Sequence, residues 1–253
     1  MKLTLFFFLL LPGLARAHEV SLITQHISLK KQHQSGWQQD VIARAAVSRN
    51  FDVGLQGTYL ERFDLFENRM GGYLMYHPTN RLTLDARYLR GKSTNEILPL
   101  DQFDFSAYYA LFKGYTPFLF FRDSRYSITD LQTLTIGVEI EKIPHFIIIP
   151  QFMFGSAAFE SPADSKNVHG ISLKVMYYVE KQFSLFAYGS SGKEASQGIV
   201  GQGSLLVDTL TGGLGGGYFL SPDLRAELFV DHTDYQELQT QFLTTTLQLR
   251  WMF

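Results

Sequence analysis

Phe242–Phe253 reads Phe-Leu-Thr-Thr-Thr-Leu-Gln-Leu-Arg-Trp-Met-Phe, and no other short segment limits the fold as much. Leu243, Thr245, Leu247, Leu249, Trp251 and Phe253 share one parity, while Phe242, Thr244, Thr246, Gln248, Arg250 and Met252 share the other. Successive side chains of a strand point to opposite faces, so the segment predicts a strand with one greasy and one mostly polar side. The edge of a soluble β-sandwich could carry the same alternation. What sets this segment apart is a stripe that runs to a terminal aromatic residue with no polar tail.

The opposite end of the chain has the three parts of a secretory signal peptide. Lys2 precedes the apolar run Leu3–Leu11, a Pro12-Gly13 break follows, and Ala15-Arg16-Ala17 supplies a cleavage site with His18 as the first mature residue. The apolar run falls well short of the roughly 20 residues a spanning helix needs. No Cys follows the site, which excludes a lipoprotein, and the absence of any Cys rules out disulfides in a compartment that would permit them. The formal net charge is −2 and no basic patch stands out, so nucleic acid is not an expected partner. Beyond Ala17 the longest apolar run, Phe146–Phe154, is interrupted by Pro150 and Gln151. An exported, aromatic-rich chain without a spanning helix has two outlets, a soluble β protein or a closed barrel.

Alternating segments of about ten residues separated by turn residues are the barrel signature, each weak alone. Val20–Lys31 and Trp37–Ser48 are the least regular. Val53–Arg62, Arg69–Tyr76, Leu82–Arg90, Phe103–Leu111, Phe118–Tyr126, Leu131–Glu141, Phe146–Phe154, Val168–Tyr178, Phe183–Ser190, Ser204–Phe219 and Leu224–Asp231 follow before the terminal strand. The Gly-rich stretch 212–217 reads better as a bent or closely approached strand than as a linker, because apolar residues flank it on both sides. The connections after even-numbered segments are short. The longest loops, at 91–101, 155–167 and 191–202, all follow odd-numbered ones. That asymmetry is expected of an outer-membrane barrel with periplasmic turns and extracellular loops, and not of a sandwich. The expectation is therefore an all-β, single antiparallel up-and-down transmembrane β-barrel over 18–253, with fourteen strands, or twelve if the first two segments pair differently. The terminal strand must then pair with Val20–Lys31 to close the sheet.

The apolar stripes belong to the lipid, since Arg or Lys on that face costs about 2–4 kcal/mol at the midplane. The opposite parity predicts a lumen lined by Arg62, Asp85, Arg87, Asp104, Asp123, Arg125, Glu139, Lys174, Arg225, Glu227, Asp231 and Arg250. Arg87 beside Asp104, and Glu227 beside Arg250, predict ion-pair ladders. Tyr73, Tyr108, Phe121 and Phe229 are expected to point inward and narrow the bore. Tyr59, Tyr76, Tyr88, Tyr126, Phe154, Tyr177, Phe183, Tyr218 and Trp251 are expected to form the interfacial girdles.

Enzymatic chemistry finds little support. The nearest constellation, Asp231-His232-Thr-Asp234-Tyr235, places Asp231 and His232 on opposite faces of a strand unless a bulge intervenes. His26, His77, His145 and His169 have no metal-ligand spacing, and there is no GxSxG or phosphate loop. No cofactor or metal is expected. Signal, single barrel and terminal Phe together, with Phe121-Arg-Asp-Ser-Arg-Tyr126 and the following Gly137-Val-Glu strand, resemble the YaiO family of outer-membrane barrel proteins. The resemblance implies an outer-membrane location in a Gram-negative bacterium, with some relatives tied to surface polysaccharide systems through helical repeats that this chain lacks. It also implies lipid, periplasmic chaperones and the barrel-insertion machinery as partners of a monomer, and it carries over no catalytic residue. In outer-membrane barrels of this kind a terminal Phe is the insertion signal, here Phe253 supported by Trp251. Deleting Phe253 is expected to lower the folded, membrane-inserted fraction severalfold, as read by heat-modifiable migration of membrane extracts. Unchanged insertion would contradict the assignment.

Overall fold

Unpaired N–H and C=O groups at a sheet edge are costly in any apolar medium, and closing the sheet removes them. In the computed structural model, which describes residues 18–29, 34–62, 65–92, 98–127, 129–159, 161–180, 182–197, 204–236, 238 and 240–253, the sheet is closed. Fourteen antiparallel strands follow one another around the barrel in chain order. They are β1 (Glu19–Leu29), β2 (Gln34–Ser48), β3 (Phe51–Arg62), β4 (Leu65–Thr79), β5 (Leu82–Lys92), β6 (Asp101–Tyr109) and β7 (Tyr115–Arg125). The second half comprises β8 (Thr129–Ile140), β9 (Phe146–Phe159), β10 (Ser161–Tyr178), β11 (Phe183–Gln197), β12 (Ser204–Ser221), β13 (Leu224–Tyr235) and β14 (Thr240–Met252). The seam is a regular ladder from Glu19↔Met252 to Leu29↔Phe242. Both termini of the described chain lie at the end where β2–β3, β4–β5 and β12–β13 turn within two residues. The expected leader 1–17 lies outside the described residues.

The strands are tilted. A single laterally paired row runs from Trp251 near the end of β14 through Val20, Ala43, Leu55, Gly72, Tyr88 and Phe103 to Asp123, Gln132, Ser156 and Asn167. It climbs from the turn end to the upper part of β10. With strands about 4.8 Å apart and a tilt of about 40°, fourteen of them make a cylinder roughly 27 Å across the backbone.

Polarity is inverted relative to a soluble domain. Leu55, Leu74, Leu119, Ile136, Phe152, Ile171, Leu173, Leu214, Leu228 and Leu247 all project outward and stay exposed. Asp40, Gln56, Thr58, Glu67, Gln102 and Asp104 are buried inside. An apolar belt this extensive exceeds what a water-exposed surface carries and fits a hydrocarbon surround. Tyr76, Tyr109, Phe112, Tyr177, Phe183 and Tyr218 ring the turn end, and Trp37, Phe66, Phe103 and Phe154 lie toward the other. Tyr126, expected in a girdle, instead follows β7 on its inner parity and lies within electrostatic reach of Arg122, Arg69 and Glu67.

Two expected loops prove to be paired strand. Gly155–Ala158 pair with Ser165–Val168, with a register shift around Pro162, and Lys193–Gln197 pair with Ser204–Asp208. Small and polar residues make up most of Gly155–Ala158 and Lys193–Gln197, so no hydrophobic alternation marks them, although the backbone still pairs. Inside β9, by contrast, the ladder to β8 lapses between Gly137↔Gln151 and Ile140↔Ile148, around Pro150, which has no N–H to give.

The Gly-rich stretch of β12 has a local cause. Gly213 and Gly215 face the lumen, and a Cβ on either would lie 2.4 Å from Phe229 Cζ or 2.6 Å from Phe186 Cζ. Gly54 beneath Tyr73 and Gly137 beneath Phe118 repeat the arrangement. Each ring lies flat along the wall in the space its glycine leaves. Tyr73 and Phe229 therefore point inward, yet narrow the bore less than upright side chains would. Gly212, one residue away on the outer face, has nothing within 4 Å of a Cβ. Gly213→Val is accordingly expected to destabilise the refolded barrel by about 1–3 kcal/mol through overpacking. Gly212→Val should fall within about 0.5 kcal/mol of the parent, both read by urea unfolding in detergent.

Candidate functional site in the barrel lumen

One wall of the lumen is a continuous polar network built on β2 to β7. Gln38 and Asp40 project inward from β2, Gln56 and Thr58 from β3, Arg69 from β4, Arg87 from β5, Gln102 and Asp104 from β6, and Arg122 from β7. Asp104 is the hub, with a side chain only 3% exposed. Its Oδ2 accepts from Arg87 Nε at 2.9 Å and Gln102 Nε2 at 2.8 Å, and also pairs with Arg87 Nη2. Its Oδ1 accepts from Arg122 Nε at 2.9 Å. Arg87 Nη1 reaches Gln56 Oε1 at 3.1 Å, and Arg69 Nη1 donates to Gln102 Oε1 at 2.7 Å. On the far side Thr58 Oγ1 donates to Asp40 Oδ1 at 2.5 Å, and Gln38 Nε2 holds Asp40 Oδ2 at 2.8 Å. Carboxylates and guanidiniums balance in number on this wall, but in the Asp104 network the cations are the exposed partners, with Arg87 and Arg122 at 27% and 38% against 3% for Asp104. Above it, Leu98 N donates to Glu67 Oε2 at 2.5 Å, which draws the end of the β5–β6 connection over the mouth.

A second ionic cluster clamps the seam at the turn end. Glu19 on β1 lies 3.7 Å from Arg44 on β2 and 3.4 Å from Arg250 on β14, and Arg44 also meets Asp52 at 3.3 Å. Arg225 Nε pairs with Glu227 at 2.8 Å along its own strand, so the expected Glu227–Arg250 rung does not form. Registry explains the difference: Glu227 stands opposite Gln248, while Arg250 faces Arg225 across β13–β14 and Ser21 across the seam. Arg62 lies over the Phe242 ring at 4.7 Å.

The opposite wall carries an aromatic pair. Phe186 and Phe229 stack with ring centroids 5.4 Å apart, and Lys174 Nζ lies over Phe186, 5.4 Å from its centroid. Tyr108 stacks on Phe118 at the same distance, on β6 and β7 of the polar wall. A pocket of about 380 Å³ opens between Lys174, Phe186, Tyr188, Phe229 and Gln248.

Of the twelve expected lumen residues, the register puts Arg62, Asp85, Arg87, Asp104, Glu139, Lys174, Arg225, Glu227, Asp231 and Arg250 on the inner parity. Asp123 and Arg125 are corrected to the outer face. Asp123 stands opposite the exposed Phe103, and Arg125 opposite Asp101 and Asp130. Phe121 turns outward with them. The cause is that Phe118-Leu-Phe-Phe121 is apolar on both faces, so hydrophobicity does not mark which parity is the lumen. The inner positions of β7 are Thr116, Phe118, Phe120, Arg122 and Ser124. Asp123 and Arg125 tolerate the outer face because they sit at the upper end of the strand, where a charge costs only about 0–1 kcal/mol. There Gln132 Nε2 donates to Asp123 at 3.1 Å and Arg90 lies 3.8 Å from Asp101. Arg69, Arg122, Asp40 and Arg44 are lumen residues of these networks that the sequence reading missed. Arg69 was within reach, since it shares parity with the inward Tyr73. Asp231 and His232 do fall on opposite faces, opposite Thr244 and Leu243 respectively, in an unbroken register.

No protein-family model matches the sequence, and no curated protein matches it. Solved structures do. The chain is similar to the CymD monoaromatic hydrocarbon channel (TM-score 0.66, 9% identity, 94% of this chain and 89% of that one). It is also similar to a bacterial polysaccharide outer membrane secretin (0.57, 11%, 94% and 99%) and to Omp33 of Acinetobacter baumannii (0.56, 13%, 95% and 100%). At these identities the likeness is one of fold, and the fold is that of outer-membrane β-barrels.

Asp104→Ala would leave two guanidiniums without their shared partner. Both remain partly solvated, so the expected loss is about 2–4 kcal/mol of barrel stability, measured by urea unfolding of refolded protein. Asp123→Ala, on the outer rim, should stay within about 0.5 kcal/mol of the parent.

Proposed function

We propose that this protein is an outer-membrane barrel of a Gram-negative envelope, released from its leader after Ala17, acting as a monomeric narrow channel for small polar solutes. The observation that carries the reading is the asymmetric lumen, with arginines Arg69, Arg87 and Arg122 on one wall and flattened aromatic rings on the other. A purely structural barrel needs neither guanidiniums more exposed than the carboxylate they share nor rings laid aside over glycines. The guanidiniums present fixed positive charge to a water-filled path, so anions are favoured over cations. Leu98, held by the inward Glu67, leans over the mouth, which fits selective passage of small solutes better than bulk diffusion.

The fold neighbours include proteins named as channels, and that supports the class without naming a cargo. The resemblance of 121–126 to YaiO barrels is compatible with a role in envelope export, and Arg122 of that motif is on the inner parity by register. Lipid, periplasmic chaperones and the insertion machinery are the partners this reading requires.

Refolded protein in planar bilayers should give discrete steps, with a reversal potential in a salt gradient that reports anion preference. Arg87→Ala and Arg122→Ala should each reduce that preference by about twofold or more, since the full field of one nearby charge is removed. A closed trace that neither variant opens would refute the channel.

A further inference from the structure

Across the bore from the arginines, Phe186 and Phe229 make one platform, with centroids 5.4 Å apart and planes inclined by 29°. Both rings are backed by the glycines of β12, so their free faces turn to the lumen. The pocket of about 380 Å³ beside them is bordered by hydrogen-bonding groups on Tyr188, Thr246 and Gln248, by the Glu227 carboxylate, and by Lys174, whose Nζ lies over the Phe186 ring. Lys174 contacts the Phe186 ring but has no carboxylate within 4 Å among the described residues. Glu227 lines the same pocket but is held by Arg225 at 2.8 Å, and Glu139, two strands away on β8, is within electrostatic reach of Lys174 without forming an ion pair.

Flat aromatic faces, several hydroxyl and amide partners, and one cation without an ion-pair partner define the chemistry of the missing ligand. A hydrocarbon would cover the rings and strand the polar border. A neutral sugar would satisfy the border and leave the ammonium with no ion pair within 4 Å among the described residues. Resting on the channel reading above, we infer that this pocket is a subsite for an acidic saccharide. One pyranose ring lies on Phe186 and Phe229, its hydroxyls meet Gln248, Thr246 and Tyr188, and its carboxylate faces Lys174.

Isothermal titration of the detergent-refolded barrel with trigalacturonate, maltotriose and benzoate tests this. Trigalacturonate should bind about tenfold more tightly than maltotriose, the worth of one charge-assisted contact, and more tightly than benzoate. Lys174→Gln should abolish the difference between the two saccharides. Phe229→Leu or Phe186→Leu should weaken both by about fivefold to tenfold, through lost ring contact. Two aromatic variants are used so that one which misfolds, as judged by heat-modifiable migration, can be replaced by the other. No binding of trigalacturonate, equal affinity for the two trisaccharides, tighter binding of benzoate, or variants that bind unchanged would overturn the proposal. Binding is read without conduction, so the two failures separate. A barrel that binds trigalacturonate but carries no current loses the channel and keeps the subsite; one that conducts without binding does the reverse.

Discussion

Every other feature of this molecule depends on the pairing of β1 with β14. A sheet that faces hydrocarbon cannot leave a strand edge open, because each unsatisfied backbone group there costs several kcal/mol. The ladder from Glu19↔Met252 to Leu29↔Phe242 removes the last edge. Glu19 then reinforces the same place with side chains, reaching Arg44 on one flank and Arg250 on the other. Closure also sets the two environments. Once the sheet is a cylinder, every strand has a lipid side and a lumen side, and residue parity acquires a meaning that it lacks in an open sheet.

Within that cylinder the two lumen walls solve different packing problems. On β2 to β7 the interior is filled by charge, with Asp104 shared between Arg87 and Arg122 and Asp40 held by Thr58 and Gln38. Such a network is stable only when nearly every member is partnered, because a lone buried charge is far more costly than the pair is favourable. On β10 to β14 the interior is filled by rings, and glycines give them room to lie flat. Gly213 and Gly215 are strand residues that would ordinarily weaken the sheet. Here each loses a side chain and gains a neighbour's ring. The result is a bore whose width is set by where rings can be laid down as much as by strand number.

Most of the architecture was legible in the residue pattern. Strand existence, the order of pairing, the inner parity of Arg87, Asp104 and Lys174, and the opposition of Asp231 to His232 all follow from a period of two applied to a closed sheet. The pattern failed where its cause was absent. Residues 155–159 and 193–197 are strand without a clear hydrophobic alternation, because small and polar residues make up most of both stretches. At Phe118–Phe121 both parities are apolar, because a lumen lined with aromatic rings imitates a lipid face, and so Asp123 and Arg125 were assigned to the wrong side. Arg69 was overlooked although Tyr73 on the same strand points to the same face.

The sequence by itself determined that this chain forms an antiparallel closed barrel with an apolar outside and a charged inside, because alternation and turn spacing are local properties of the chain. Only the tertiary structure decided which charges meet. Asp104 takes both Arg87 and Arg122, Glu227 turns to Arg225 and leaves Arg250 to Glu19, and Phe186 and Phe229 come together over glycines of the strand between them. Those choices depend on register and tilt, which displace residues of equal parity along the barrel axis from strand to strand. No local pattern encodes that displacement, since it arises from summing the pairings around the whole circumference.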